Sequence, residues 1–182
     1  RPFRDRDGRL LFRPGGHGAL LYNLDGIDGA IVFIKNIDNI VPDRLKDTTV
    51  LYKKILGGYL VGLQRELFGH LQALSGQSAG ERVIGGAARF ATDRLSCALP
   101  PGFEGRPLEE RRQVLIGKLN RPLRVCGMVK NEGEPGGGPF WVAGKNGESS
   151  LQIVEEVQVD RSRGNQGALW ASSTHFNPVD LV

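Results

Sequence analysis

The chain has 182 residues, with 24 Lys and Arg against 20 Asp and Glu, for a formal net charge of +4. That length suits one well-buried domain with a small appendage, and 40% hydrophobic with 24% charged residues is an ordinary globular balance. The basic residues are interleaved with acids, as in RPFRDRDGR and LEERRQ, which argues against nucleic acid, and the apolar runs, such as AIVFI, fall far short of a membrane span.

Cys97 and Cys126 are far apart, and neither has a second Cys or a His at metal-ligand spacing, which argues against structural zinc. Two free thiols and the lack of a secretory pattern suit a cytoplasmic location. Much of the glycine sits in RPGGHG, VIGGAA and EPGGGPF, where turns need positive φ or close backbone approach. The chain begins at Arg1 without Met and stops in FNPVDLV, so both ends read as cut, and a piece of a longer polypeptide is expected.

In chain order, GRLLF (8–12) predicts a short strand ended by Pro14-Gly15-Gly16, and Ala19 to Leu24 a short helix. GAIVFIK (29–35) is a continuous apolar, β-branched run of the kind buried on both faces of a parallel sheet. Residues 1–43 thus read as a βαβ unit. From Asp47 to about Leu74, apolar residues including Leu60, Leu63, Leu67 and Leu71 recur at helical spacing, with Gly57-Gly58 a candidate break. PLEERRQVLIGKL (107–119) predicts a helix opened by Pro with acids in its first turn. Residues 44–121 are therefore a helical packing segment. Residues 122–182 read as strand-rich: LRVCGMVK (123–130), PFWVAG (139–144), LQIVEEVQV (151–159) and ALWASSTHF (168–176), with a hairpin turn at Asn146-Gly147.

Two segments carry candidate chemistry. Gly15, Gly16 and Gly18 precede a helix start, whose unpaired N–H groups and dipole favour an anion, and His17 adds a donor. The alternative is a tight turn with an exposed His. In KNIDN, Asn36 and Asp38 alternate onto one face past the end of an apolar strand, where open α/β sheets place ligands. A carboxylate there suits Mg²⁺ with phosphate oxygens. The alternative is that Asp38 and Asn39 cap a turn before Pro42. His70, His175, Trp141 and Trp170 read chiefly as packing or surface residues, Lys130 equally as a phosphate contact or a solvated strand-end Lys, and nothing in its spacing requires Asp180 to be a second metal ligand.

RPGGHGALLYNL followed by IVFIKNIDN resembles the eukaryotic-type UDP-sugar pyrophosphorylases over about residues 12–43, with a looser likeness over 123–182. FRPGGHGAL, FIKNIDN, RVCGMVKNEGEPGGGPFWV and STHFNPVDLV are closer still to a bacterial family, domain of unknown function 4301, placed in the nucleotide-diphospho-sugar transferase superfamily. The resemblance implies an α/β fold with a Rossmann-like mixed sheet flanked by helices, incomplete here at both ends. It implies nucleotide contacts from Gly15, Gly16, His17, Gly18 and Asn36, Mg²⁺ at Asp38, and sugar contacts from Glu155 and Asn177, with Glu156 a substitute for Glu155. The partners implied are a nucleotide and a sugar phosphate, and the activity is sugar nucleotidyl transfer. A related glycosyltransferase and a non-catalytic nucleotide-sugar binding module are the alternatives. The family's N-terminal Gly-rich loop and its C-terminal phosphate-binding Lys have no counterpart in these 182 residues, so the fragment alone is not expected to be a competent enzyme.

Overall fold

The computed structural model describes residues 3–12, 17–76, 79–134, 136–144 and 148–182. The chain divides into two units, Arg1–Val32 and Phe33–Val182.

In the first unit, GRLLF forms the return arm of a small turn, not an extended strand. Arg4 and Leu10 make an isolated antiparallel bridge, and the Leu11 N–H donates to the Phe3 carbonyl at 2.9 Å. The Asp5 carboxylate ties the loop by accepting from the backbone N–H groups of Asp7 and Arg9 at 3.0 and 2.9 Å. A single 3₁₀ turn over His17–Leu20 leads into α1, Leu21–Asp25, close to the short helix expected.

The second unit is built on helices. A 3₁₀ turn, Asp43–Leu45, opens α2, Lys46–Ser75. Next comes α3, Glu81–Arg89, which runs on as a π turn over Phe90–Arg94, and then α4, Leu108–Leu119. Pro107 stands directly before α4, Glu109 and Glu110 lie in its first turn and Lys118 in its last, an order that complements the helix dipole. Leu63, Leu67 and Leu74 line one face of α2 and meet Ile84, Ala87 and Ala88 of α3, with Phe90, Phe103, Leu115 and Leu119 closing the core. Each buried Leu contributes roughly 1.5–3 kcal/mol over an exposed one. The alanines of α3 keep that interface close.

Gly57-Gly58, a candidate break or kink, does not break α2; the helix is continuous through it. Gly57 instead seats the Phe33 ring, because a Cβ at Gly57 would stand 2.8 Å from Phe33 Cζ. The Lys53 ammonium, one turn earlier, lies 5.6 Å from the centroid of the same ring.

The remaining elements are short. From 29–35, only Ile34–Lys35 forms a ladder strand, β1. It is followed by β2, Val129–Lys130; β3, Gly138–Ala143; and β4, Ser149–Val154. Next are α5, Gln166–Ala171; β5, His175–Phe176; and β6, Asp180–Leu181. Three antiparallel pairs result: β1 with β6, β2 with β5, and β3 with β4 in register from Gly138↔Val154 to Ala143↔Ser149. No mixed sheet occurs among the described residues.

The hairpin β3–β4 matches its expected flanks; the Asn146-Gly147 turn itself lies outside the described residues. ALWASSTHF differs from expectation, since its first half is helical. Ala168, Leu169 and Ala171 favour a helix locally, and Trp170 stacks on Phe140 of β3 with ring centroids 5.5 Å apart. LQIVEEVQV is likewise divided, with a 3₁₀ turn over Glu156–Gln158 ending the strand. No described helix is long and apolar enough to cross a membrane.

Candidate functional site

The site is built where KNIDN meets FNPVD. The strand β1 ends at Lys35, and the chain turns through one 3₁₀ turn, Ile37–Asn39. That turn is pinned to the segment before β6. The Asn36 N–H donates to the Val179 carbonyl at 3.3 Å, and Asn39 Nδ2 donates to the Pro178 carbonyl at 2.8 Å and to Asn36 Oδ1 at 2.9 Å. Asp38, in the middle of the turn, is exposed, with Asn36 Nδ2 a distant donor at 3.4 Å from its Oδ2.

The opposing turn is held by Asn177, which is buried. Its Nδ2 donates to the Gly127 carbonyl at 2.7 Å, and its Oδ1 accepts from the Val179 N–H at 3.0 Å. This Asx turn carries Val179 at φ +55. A β-branched residue in that region is strained by about 1–3 kcal/mol, a cost that persists only where surrounding contacts over-determine the backbone.

A charged group flanks the turn. Lys35 Nζ donates to Asp180 Oδ2 at 2.6 Å, and Lys53 Nζ stands 3.4 Å from Asp180 Oδ1. The second contact is Coulombic only, since Asp180 Oδ1 is buried and no donor is aligned on it. Asp180, weighed above as a metal ligand, is thus occupied by two ammonium groups.

Glu155 is connected to Asn177 through Gly137. The Asn177 N–H donates to the Gly137 carbonyl at 2.7 Å, and the Glu155 carboxylate covers the same glycine: a Cβ at Gly137 would fall 2.6 Å from Glu155 Oε1. Glu155 itself is exposed, and its N–H donates to Gln158 Oε1 at 2.8 Å. Glu156 turns away into an ion pair with Arg161.

A relay of contacts through Val179 and Gly137 connects Asn36, Asn177 and Glu155, and Asp38 stands in the turn that Asn36 opens. Asp38 and Glu155 are exposed, Glu155 within a capping box with Gln158, whereas the Asn177 side chain is committed to the turn. Gly15 and Gly16 lie outside the described residues, as does the His17 imidazole. Gly18 is exposed within the 3₁₀ turn of the first unit.

The sequence shows Asn39 only as a turn cap, the role its hydrogen bonds here serve, and gives no sign of Lys35 or Lys53. Lys35 stands inside KNIDN as a polar residue; Lys53 lies on the helix assigned to packing alone. Of the other residues, His70 packs at 4.8 Å against the Phe90 ring, and His175 Nδ1 sits 2.9 Å from the Thr174 hydroxyl.

Among the described residues, no group of three or more His, Cys, Asp or Glu side chains is placed to share an ion. A lone exposed carboxylate such as Asp38 fits Mg²⁺ in one mode, with phosphate oxygens and water completing the shell.

The chain matches, over residues 1–182, the family described as Domain of unknown function (DUF4301), and it belongs to that family. No curated protein matches it. No solved structure matches it either.

Proposed function

We propose that this chain is a sugar nucleotidyltransferase-like domain that binds a nucleoside triphosphate or nucleotide-sugar with Mg²⁺, on a Rossmann-like fold of the nucleotide-diphospho-sugar transferase type, in the cytoplasm. The observation that carries this reading is the hydrogen-bonded apposition of Asn36–Asn39 with Asn177–Asp180, which leaves Asp38 exposed while its neighbours are fixed.

In the proposed reaction, an oxygen of a sugar 1-phosphate attacks the α-phosphorus of the triphosphate. A new P–O bond forms, the α–β P–O bond breaks and pyrophosphate leaves. The attacking phosphate is already ionised near neutral pH, so no general base is needed, and positioning with charge neutralisation is the protein's task. Asp38 would hold Mg²⁺, which when bound supplies charge neutralisation at the phosphate oxygens. Asn36 orients the Asp38 turn. Glu155 accepts hydrogen bonds from sugar hydroxyls, and Asn177 fixes the wall that carries it. Gly15, Gly16, His17 and Gly18 are assigned to the nucleotide on the resemblance, and His17→Ala is expected to weaken nucleotide binding more than sugar binding.

The test is release of pyrophosphate by the natural full-length protein from UTP or another triphosphate, a panel of sugar 1-phosphates and Mg²⁺. Asp38→Ala is expected to abolish it with an unchanged melting temperature. Release of a nucleoside diphosphate without pyrophosphate would make the domain a glycosyltransferase. Saturable binding with no turnover would make it a binding module.

A further inference from the structure

A cleft of about 550 Å³ opens in the second unit beside the end of α4, the segment 121–128 and the hairpin β3–β4. Asn36, Asp38, Glu155 and Asn177 do not line it. Its size is that of a small-molecule site. Leu67, Leu95, Leu119 and Met128 give it apolar walls, and Lys118, Arg121 and Arg124 bring cations to it.

The charges do not cancel. Lys118 is neutralised by Glu148, Nζ to Oε2 at 2.5 Å. Arg124 donates to a neutral partner, Gln152 Oε1, at 2.8 Å, and Arg121 Nε donates to the Gly117 carbonyl at 3.1 Å. Among the described residues, neither guanidinium has a carboxylate at salt-bridge distance. Both arginines nevertheless act on the lining. Glu148 is held below the usual carboxylate range by its Lys118 hydrogen bond, with Arg121 adding to the effect. Burial pushes the Cys126 thiol up, against the pull of Arg124.

We propose that this cleft binds a small phosphate monoester with an apolar body, its phosphate taken by Arg121 and Arg124 and its body by the leucine and methionine wall. Two guanidinium groups match a dianionic head in charge, and each can offer paired N–H donors to phosphate oxygens, whereas a carboxylate would neutralise only one of them. The site is separate from the one proposed for the nucleotide.

The test uses phenyl phosphate as the probe in calorimetric titrations of the full chain, with inorganic phosphate and benzoate for comparison. Maleimide labelling of Cys97 and Cys126, which both line the cleft, is read in parallel by mass spectrometry. Phenyl phosphate is expected to bind saturably, more tightly than either comparison anion, and to slow labelling of the thiols. Arg121→Gln and Arg124→Gln are each expected to weaken it at least about tenfold. Both side chains are exposed, so the melting temperature should hold, while Asp38→Asn should leave binding intact. Absence of saturation, equal affinity in the double Arg→Gln variant, or loss of binding in Asp38→Asn would each overturn the proposal.

Discussion

The helical core and the turn cluster around Asn177 are held by different forces. In the core, leucines of α2 and α4 meet the alanines of α3 in an apolar cluster. In the turn cluster, Asn36, Asn39 and Asn177 do the holding through directed hydrogen bonds, and a strained Val179 is tolerated. Apolar packing is non-directional and survives modest repacking; a hydrogen-bonded turn fixes atom positions, which is what a phosphate or sugar site requires.

The largest break in this comparison comes from the core. Leu115 is fully buried, and Leu115→Ala is expected to cost about 2–5 kcal/mol in denaturant unfolding. Next is Asn177→Ala, which strips partners from the Gly127 carbonyl and the Val179 N–H. Its expected cost is about 1–3 kcal/mol in the same measurement. A loss as large as that of Leu115→Ala would make the turn part of the core.

A smaller effect, visible only in acid, sharpens the electrostatic side. The Arg112 guanidinium, with Gln113, holds the exposed Glu109 carboxyl at about 2 against an ordinary 4.5. Its folded pKa is depressed, so the stabilisation it gives is complete above the unfolded value and is lost as pH falls from about 4.5 to 2. Glu109→Gln should flatten the fall in stability across that window, read from melting temperature against pH; an unchanged slope would remove Glu109 from the acid response.

The two regions also differed in how much of them the sequence revealed. The helices α2 and α4 were readable because their leucines repeat at helical spacing and Pro107, Glu109 and Lys118 mark the ends of α4. The flanks of β3–β4 were readable from alternation and turn chemistry. What escaped was non-local. Lys35 meets Asp180 across 145 residues of sequence, and nothing in either pentapeptide announces that pairing. Gly57 looked like a helix breaker because its partner, Phe33, comes from outside the helix. ALWAS carried helix-forming residues that a β-rich neighbourhood obscured. Asp38 and Glu155 were legible as carboxylates at motif positions, but the commitment of the Asn177 side chain to its turn is a packing result that no motif encodes.

The smallest expected change in stability accompanies the most direct test of function. Asp38 is exposed and its one side-chain hydrogen bond among the described residues is long, so Asp38→Asn should move stability by no more than about 0.5 kcal/mol. Calorimetric titration of UTP into the natural full-length protein, with and without Mg²⁺, is the decisive measurement. The prediction is Mg²⁺-dependent binding in the wild type that weakens at least about tenfold in Asp38→Asn at an unchanged melting temperature. Equal affinity in the two proteins would contradict it.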